Sequence, residues 1–527
     1  MKINKNWLHV LILTLVMLTF LRIDYRFNTQ VNCCSDDYAY FLHASTIALD
    51  FDLDYSNQAL PEWHYSKNGK ETPIGFIGTG IFSAPFLLVG SVISKIFNED
   101  ISSTILNYRH LFYSLSSVFY FFMTYLFCIK FLDLLKTKIN KYFVLLILSG
   151  SGLSYFAFER FSMTHVYEAF TVAALIYLTL SFYLLRSQYT NLKAVLIPLF
   201  IVLSFVTRMS NFYVLLIPLL INKVVKRNAL NIINTLHNNL FFYMSIAFSF
   251  FLYFQLSMTL YGELIFDPQK IYGTDLSPES IITSNNGIFA LLANSLRSSI
   301  IVLFSLEFGV FWVTPIIFIS LIVVLQKVEY FKRIDTYLFL VCIVQNIFII
   351  HLWQTTASSY GFRYLFSLVP ICLFYYFSFP KKNVFNVYLY AFSILGNLSV
   401  MFFETTEMTQ LSLTAETNSF GKTIRYVEPE YVKGLFLSFF ELNSFLIIFT
   451  TSFLGAIFFK SLTILIGYSE LNSLLSKLNL PVENTDFQNY LSNIEKISFN
   501  KFVLIFFLFI YLSWLIVNTP EKKYNEK

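Results

Sequence analysis

Residues 142–185 read YFVLLILSGSGLSYFAFERFSMTHVYEAFTVAALIYLTLSFYLL. Two apolar runs, 142–158 and 163–185, are each long enough to cross a bilayer, which takes roughly 17–25 helical residues. Glu159, Arg160, His165 and Glu168 cluster where the runs meet. Ionisable groups at membrane depth are costly, so they mark either chemistry or a buried ion pair. His165 and Glu168 are three residues apart, hence on one helix face. Either they bind substrate, or Glu168 pairs with Arg160 or Arg208 for structure alone.

The alternation of apolar run and polar turn continues in both directions. Spanning runs lie at 7–22, 109–132, 194–207, 211–222, 238–261, 299–326, 334–352, 362–379, 384–403, 434–459 and 499–518. The expected fold is therefore an all-α polytopic membrane protein of about 13 transmembrane helices. Composition agrees: 56% of the 527 residues are apolar and 13% charged, about half the charged share of a soluble chain. The net charge of +5 comes from Lys and Arg scattered among loops, which is not the basic stripe of a nucleic-acid partner. Five Cys give no disulfide or zinc framework, although the adjacent Cys33 and Cys34 could pair.

Lys and Arg set the orientation. They fall at 130–141, 186–193, 223–237, 327–333 and 381–382, which become cytoplasmic if the N-terminus is inside. The apolar run 74–97 must then be re-entrant or interfacial, because counting it as a span would turn those loops outward. Pro73, Gly75, Gly78, Gly80 and Pro85 interrupt it. Long extracytoplasmic loops follow at 23–108, 262–298 and 404–433, with the C-terminus outside. The segment 460–498 reads as a cytoplasmic amphipathic helix carrying Leu471, Leu474, Leu475 and Leu478. Residues 1–403 form the membrane-embedded core, and 404–527 add an outer loop and further membrane helices.

The long first loop opens Ser35-Asp36-Asp37-Tyr38. Ser35 suits a helix N-cap, and carboxylates favour the first turn that follows. Tyr38, Phe41, Leu42, Ser45 and Leu49 then trace an amphipathic interfacial helix. One of two adjacent carboxylates must turn toward the protein, where it can act as a general base. Otherwise both only stabilise the helix start. Asp50, Asp52 and Asp54 alternate as oxygen ligands for a divalent cation do, or as plain surface. Lys67 and Lys70 could hold a phosphate or anchor the loop to lipid head groups. Arg208, Tyr261 with Gly262, Glu307 and Arg363 lie at the outer ends of later runs. Their shared side with Asp36, Asp37, His165 and Glu168 is the signal.

In order and sidedness these motifs resemble the glycosyltransferase C superfamily, bacterial members related to the protein O-mannosyltransferase and aminoarabinose transferase group. The likeness spans roughly residues 1–380. It rests on Ser35-Asp36-Asp37-Tyr38, Lys70-Glu71-Thr72-Pro73-Ile74-Gly75, Ala84-Pro85-Phe86, Ser162-Met163-Thr164-His165, Arg208, Tyr261-Gly262, Trp312-Val313-Thr314-Pro315 and Tyr360-Gly361-Phe362-Arg363-Tyr364. Trp353-Gln354-Thr355 departs from the family's Trp-Gly-Gly. The resemblance implies transfer of a sugar from a polyprenyl-phosphate donor to a glycan, glycolipid or protein acceptor at the outer face of the cytoplasmic membrane. In it Asp36, with Asp37 as substitute, is the base. Lys67, Lys70, His165, Glu168, Arg208, Tyr261 and Arg363 bind substrate. Asp50 and Asp52 are the ligands if a divalent cation takes part. A polysaccharide polymerase or ligase, or a lipid-linked-sugar flippase or transporter, is the rival; a transporter should show repeated halves, which are absent from the sequence.

Overall fold

A computed structural model describes residues 5–22, 35–99, 107–137, 140–185, 190–225, 236, 239–272, 287–305, 309–325, 334–353, 360–379, 383–403, 414–417, 423–426, 437, 439–440, 442–477 and 485–519. Cys33, Cys34, Glu307, Leu478, residues 273–286 and most of the loop 404–433 lie outside the described residues. The chain is an all-α membrane protein. Seven described helices are long and apolar enough to cross a membrane, or eight if one bent pair counts as a span. The larger sequence count also included runs that fold as shorter apolar helices, such as 7–22, 142–158 and 362–379.

The seven are α3 (Ile77–Ile96), α4 (Tyr108–Leu134), α6 (His165–Leu184), α7 (Thr190–Thr207), α9 (Leu240–Tyr261), α16 (Asn383–Phe403) and α21 (Phe499–Asn518). α6 buries 89% of its apolar window and α9 only 22%, so α6 is central and α9 faces the surroundings. On α9 the exposed side chains include Phe241, Met244, Phe248 and Phe251, which suit hydrocarbon and not water.

Side-chain contacts assign the helix ends. α4 runs parallel to α6: Ser116 meets the Tyr167 hydroxyl at 2.7 Å, and Lys130 lies over the Tyr177 ring. α6 is antiparallel to α7, since Glu168 in its first turn meets Arg208 just past the end of α7. α1 (Lys5–Phe20) is antiparallel to α21: Thr14 bonds Ser513 at 2.9 Å, while Phe453, whose amide donates to the Leu21 carbonyl, stacks near Phe502. The starts of α4, α6 and α21 and the ends of α1 and α7 thus share one end of the bundle. It is termed the site end.

α3 is one continuous helix and not a broken re-entrant turn. Pro73 and Gly75 precede it, and the helix continues through Pro85. Its first turn abuts α7's last residue, because a Cβ on Gly78 would come within 2.5 Å of the Thr207 backbone. Its later turns abut the start of α4: Gly90 touches the Tyr108 carbonyl, and the Arg109 amide donates to Ser94. Both ends of α3 therefore touch the site end.

The run 299–326 is not one helix. α11 (Ile288–Phe304), α12 (Val310–Val313) and α13 (Pro315–Leu325) succeed one another, as a proline that cannot continue a helix requires. The run 434–459 is likewise divided, at Ser452, into α17 (Leu442–Thr451) and α18 (Phe453–Ile466). Ser452 caps α18 by accepting the Gly455 amide and forms a bridge with Arg22.

The C-terminal part departs most from expectation. Segment 460–498 comprises the tail of α18, then α19 (Tyr468–Lys477), turned by 115° at Gly467, and α20 (Thr485–Lys496). Leu471 and Leu475 are buried and Leu474 is exposed, so the amphipathic pattern serves protein packing. Lys460 donates to the Glu495 carbonyl. Lys501, at the start of α21, pairs with Glu99 at 2.5 Å and lies 5.0 Å over the Tyr108 ring. At the other end Lys141, opening α5 (Lys141–Leu148), donates to the carbonyls of Val517 and Thr519. α21 therefore runs from the site end back to the end where the chain begins. The segment before α21 is at the site end, not opposite it, and the chain's last helix ends beside Lys141. Across the division at 403, Phe453, Phe502 and Phe509 share one core with Met17 and Phe158.

Gly150 and Gly396 explain how residues 149–153 and α16 approach. A Cβ on Gly150 would lie 2.3 Å from the Ser393 carbonyl oxygen, and one on Gly396 2.2 Å from that of Gly150. Small residues permit such backbone contact between membrane helices. Gly150→Ala is expected to cost about 1–3 kcal/mol by overpacking. Thermal melts in detergent check this, with Leu465→Ala, 77% exposed, expected to melt like wild type.

Candidate functional site

α6 opens with His165 and carries Glu168 in its first turn, where its carboxylate also favours the helix dipole. The antiparallel neighbour α7 ends at Thr207, which delivers Arg208 to the same level. Arg208 donates to Glu168 Oε1 at 2.8 Å, Asn211 to Oε2 at 3.2 Å, and the Thr164 hydroxyl also to Oε1. His165 Nδ1 stands 3.3 Å from Glu168 and 3.2 Å from Arg208. Glu168 is completely buried and its oxygens are taken by these donors. It does not line the cavity described below. Of the two partners the sequence offered Glu168, the structure pairs it with Arg208.

The two adjacent aspartates have different surroundings. They open α2 (Ser35–Ser45), where successive side chains diverge by about 100°. Asp37 is 3% exposed and pairs with Arg160, Oδ2 to Nε 3.2 Å. Asp36 lines a cavity. α2 is not an amphipath on a surface, because Tyr40, Leu42, His43 and Ala44 are all buried, mostly against α3. Gly80 of α3 makes this contact, its missing Cβ lying 2.5 Å from His43 Cβ.

His43 supports α2 from beneath, with Nδ1 2.6 Å from the Tyr55 hydroxyl. Burial pushes its pKa down to about 3, while the Gly75 backbone pulls weakly the other way. An unfolded chain takes up this proton near pH 6.5, whereas the folded one resists until about 3. Stability is therefore expected to fall as pH drops from 6.5 toward 3. Melting midpoints at pH 7.5 and 4.5 should differ, and His43→Gln should narrow the difference.

The cavity, about 220 Å³, lies at the site end. Asp36, His165, Arg208 and Arg363 line it together. These four come from α2, α6, the end of α7 and the 3₁₀ turn Arg363–Leu368. Tyr364 is shared by both cations, its ring centroid 4.0 Å from the Arg208 guanidinium and 5.6 Å from that of Arg363. Arg363 Nε is buried with no hydrogen-bond partner among the described residues. Two guanidiniums converging on one polar cavity suit a phosphate or another oxyanion. Burial pushes the Tyr40 and Tyr272 phenols up, so both line the cavity as neutral hydroxyls.

Beside it runs a larger apolar groove of about 670 Å³ between α7, α8 (Ile217–Val225) and α9. It is lined from Leu236 and Phe242 up to Phe205, Tyr253 and Phe266. Phe205 lies three residues before Arg208, and Phe266 two before the cavity residue Pro268. The groove carries no ionisable group but the Tyr243 and Tyr253 hydroxyls, whereas the charged side chains line the smaller cavity.

Five other expected residues do not line the cavity. Lys67 and Lys70 are exposed beside the turn of a hairpin, β1 (His64–Lys67) and β2 (Lys70–Pro73). Tyr261 is buried in the joint between that hairpin and α9. Its carbonyl accepts from Tyr65, and Thr72 donates to the carbonyl of Leu260. The hairpin thus satisfies orphan carbonyls at the end of α9. Asp50 accepts from Gln58, and Asp52 from Thr46 and the Asp54 amide. Among the described residues no three His, Cys, Asp or Glu gather to hold a metal ion. The hairpin was missed although Asn68-Gly69 is a strong two-residue turn signal; both residues have positive φ, 55° and 67°. Trp63, Tyr40, Tyr272 and Tyr364 were missed because aromatics are too common here to stand out. Set against known proteins, the chain matches no family model, no curated protein and no solved structure.

Proposed function

We propose that the chain is a membrane glycosyltransferase that moves a sugar from a polyprenyl-phosphate donor to a glycan, lipid or protein acceptor. The observation that carries this reading is the shared cavity of Asp36, His165, Arg208 and Arg363 beside an apolar groove. A lipid-linked sugar has an apolar tail, an anionic phosphate and a polar ring, in that order. The groove, the two arginines and the rest of the cavity offer matching surroundings in the same order.

In this reading the acceptor hydroxyl loses its proton to the Asp36 carboxylate. Its oxygen forms a bond to the anomeric carbon from the face opposite the phosphate. The bond from that carbon to the phosphate oxygen breaks, and the phosphate keeps the electron pair. The configuration inverts. Arg208 and Arg363 meet the charge that develops on the leaving phosphate. Glu168 and His165 fix Arg208, and the protonated Tyr40 and Tyr272 hydroxyls can hold the sugar.

Orientation follows from charge. The basic stretches 130–141, 186–193 and 223–237 connect helix ends remote from the site, and Lys141 beside the end of α21 belongs with them. Placing them in the cytoplasm directs the cavity outward and lays α3 along the outer interface. Mass spectrometry of envelope glycans and glycolipids from a deletion strain and its complemented counterpart tests the function. One sugar should disappear from a glycan while its polyprenyl-phosphate form accumulates. An unchanged glycan profile in the deletion strain overturns the proposal.

A further inference from the structure

We infer that Trp63 is a stacking platform at the cavity mouth and that the acceptor presents a sugar ring to it. The inference rests on the transferase reading and narrows the acceptor to a glycan or a glycolipid head group. Trp63 lines the same cavity as Asp36, yet it is 74% exposed. Of the other linings Tyr40, Ile74, Phe76 and Met163 are buried, and Pro268, Tyr272 and Tyr364 are half-buried. An indole left largely uncovered beside the cavity presents a flat apolar face. A pyranose ring has the complementary shape, with one face of C–H groups and a rim of hydroxyls.

The backbone that carries Trp63 is well fixed. His64 Nδ1 lies 2.9 Å from the Pro61 carbonyl, closing the turn around it. The next strand is tied to α9 through Tyr65. The ring is thus presented from a rigid support, which lowers the entropy cost of binding. Its place also assigns it to the acceptor. Arg208 is buried in the cavity wall and Arg363 half-buried, where the donor's phosphate fits, whereas Trp63 is the most exposed of the linings. A serine or threonine on a peptide would bring no ring face to it. The competing role is an interfacial tryptophan anchored in lipid head groups.

Fluorescence on the full-length protein in lipid nanodiscs separates the two roles. The Trp63 signal is taken as the difference between wild type and Trp63→Phe. Methyl glycosides of glucose, galactose, mannose and N-acetylglucosamine are the sugar probes, and brominated phosphatidylcholine is the lipid probe. At least one glycoside should protect Trp63 from acrylamide, while brominated lipid leaves its emission unchanged. Quenching by brominated lipid with no protection by any glycoside makes Trp63 a membrane anchor and overturns the inference. Kinetics with the acceptor identified from the deletion strain give the second readout. Trp63→Ala should raise the acceptor KM about tenfold and leave kcat within about threefold, with Trp63→Phe intermediate. An unchanged KM for Trp63→Ala alongside a dead Asp36→Asn removes the stacking role and keeps the transferase. Full activity in both variants removes Trp63 as the platform and Asp36 as the base, whereas an unchanged glycan profile in the deletion strain removes the transferase reading itself.

Discussion

Asp36→Asn is expected to lower sugar transfer by about 10²–10⁴-fold while leaving the protein folded and in the membrane. The asparagine keeps the shape of the side chain and loses only its capacity to take a proton. Asp36 faces the cavity, so its replacement leaves no buried charge unmatched. Asp37→Asn should do the reverse. Arg160 is 5% exposed and held by Asp37, and breaking a buried pair by removing one partner costs about 3–5 kcal/mol. That variant should express poorly and melt early, while any folded fraction keeps a working base. Measuring transfer per folded molecule, with folding read by size exclusion in detergent, separates the two. If Asp36→Asn transfers at the wild-type rate per folded molecule, the aspartate is not the base.

The second large effect concerns Arg208. Glu168→Gln should destabilise the protein, because it leaves Arg208 buried without its carboxylate. Arg208→Gln should both destabilise and inactivate, since it strands Glu168 and removes a cation from the cavity. The double variant Glu168→Gln, Arg208→Gln replaces an ion pair by two neutral amides that can bond to each other. It should recover most of the melting temperature and none of the transfer. Recovery of activity together with stability would mean that Arg208 acts only as a strut. This double-variant cycle is informative because the residues touch and their effects are not additive.

These expectations show which parts of the site the sequence could disclose. Asp36, His165, Arg208 and Arg363 were legible because ionisable residues are rare in a chain that is 13% charged. Their common side followed from the alternation of runs and turns. Nothing in the order Asp36-Asp37 told which carboxylate faces the cavity. That depends on Arg160, 123 residues away, reaching one and not the other. Glu168 looked like a substrate ligand for the same reason as His165; only the donors Arg208, Asn211 and Thr164 around it show its carboxylate already committed. Lys67, Lys70 and Tyr261 carried the right chemistry in the wrong place. A hairpin turn and a helix terminus account for them.

The sequence by itself determined the solvent, the fold class and the end of the bundle at which polar residues gather. These follow from hydropathy, a local property summed over each run. The tertiary structure decided what depends on one helix finding another. It divided the runs 299–326 and 434–459, where Pro315 and Ser452 outweigh the apolar residues around them. It returned α21 beside α1 through contacts nearly 500 residues apart in the chain, such as Thr14 with Ser513. It also brought Asp36, His165, Arg208 and Arg363 to one cavity from four segments that share no pattern in sequence. A hydropathy pattern is fixed within each segment, whereas pairing between segments depends on packing that no single segment contains.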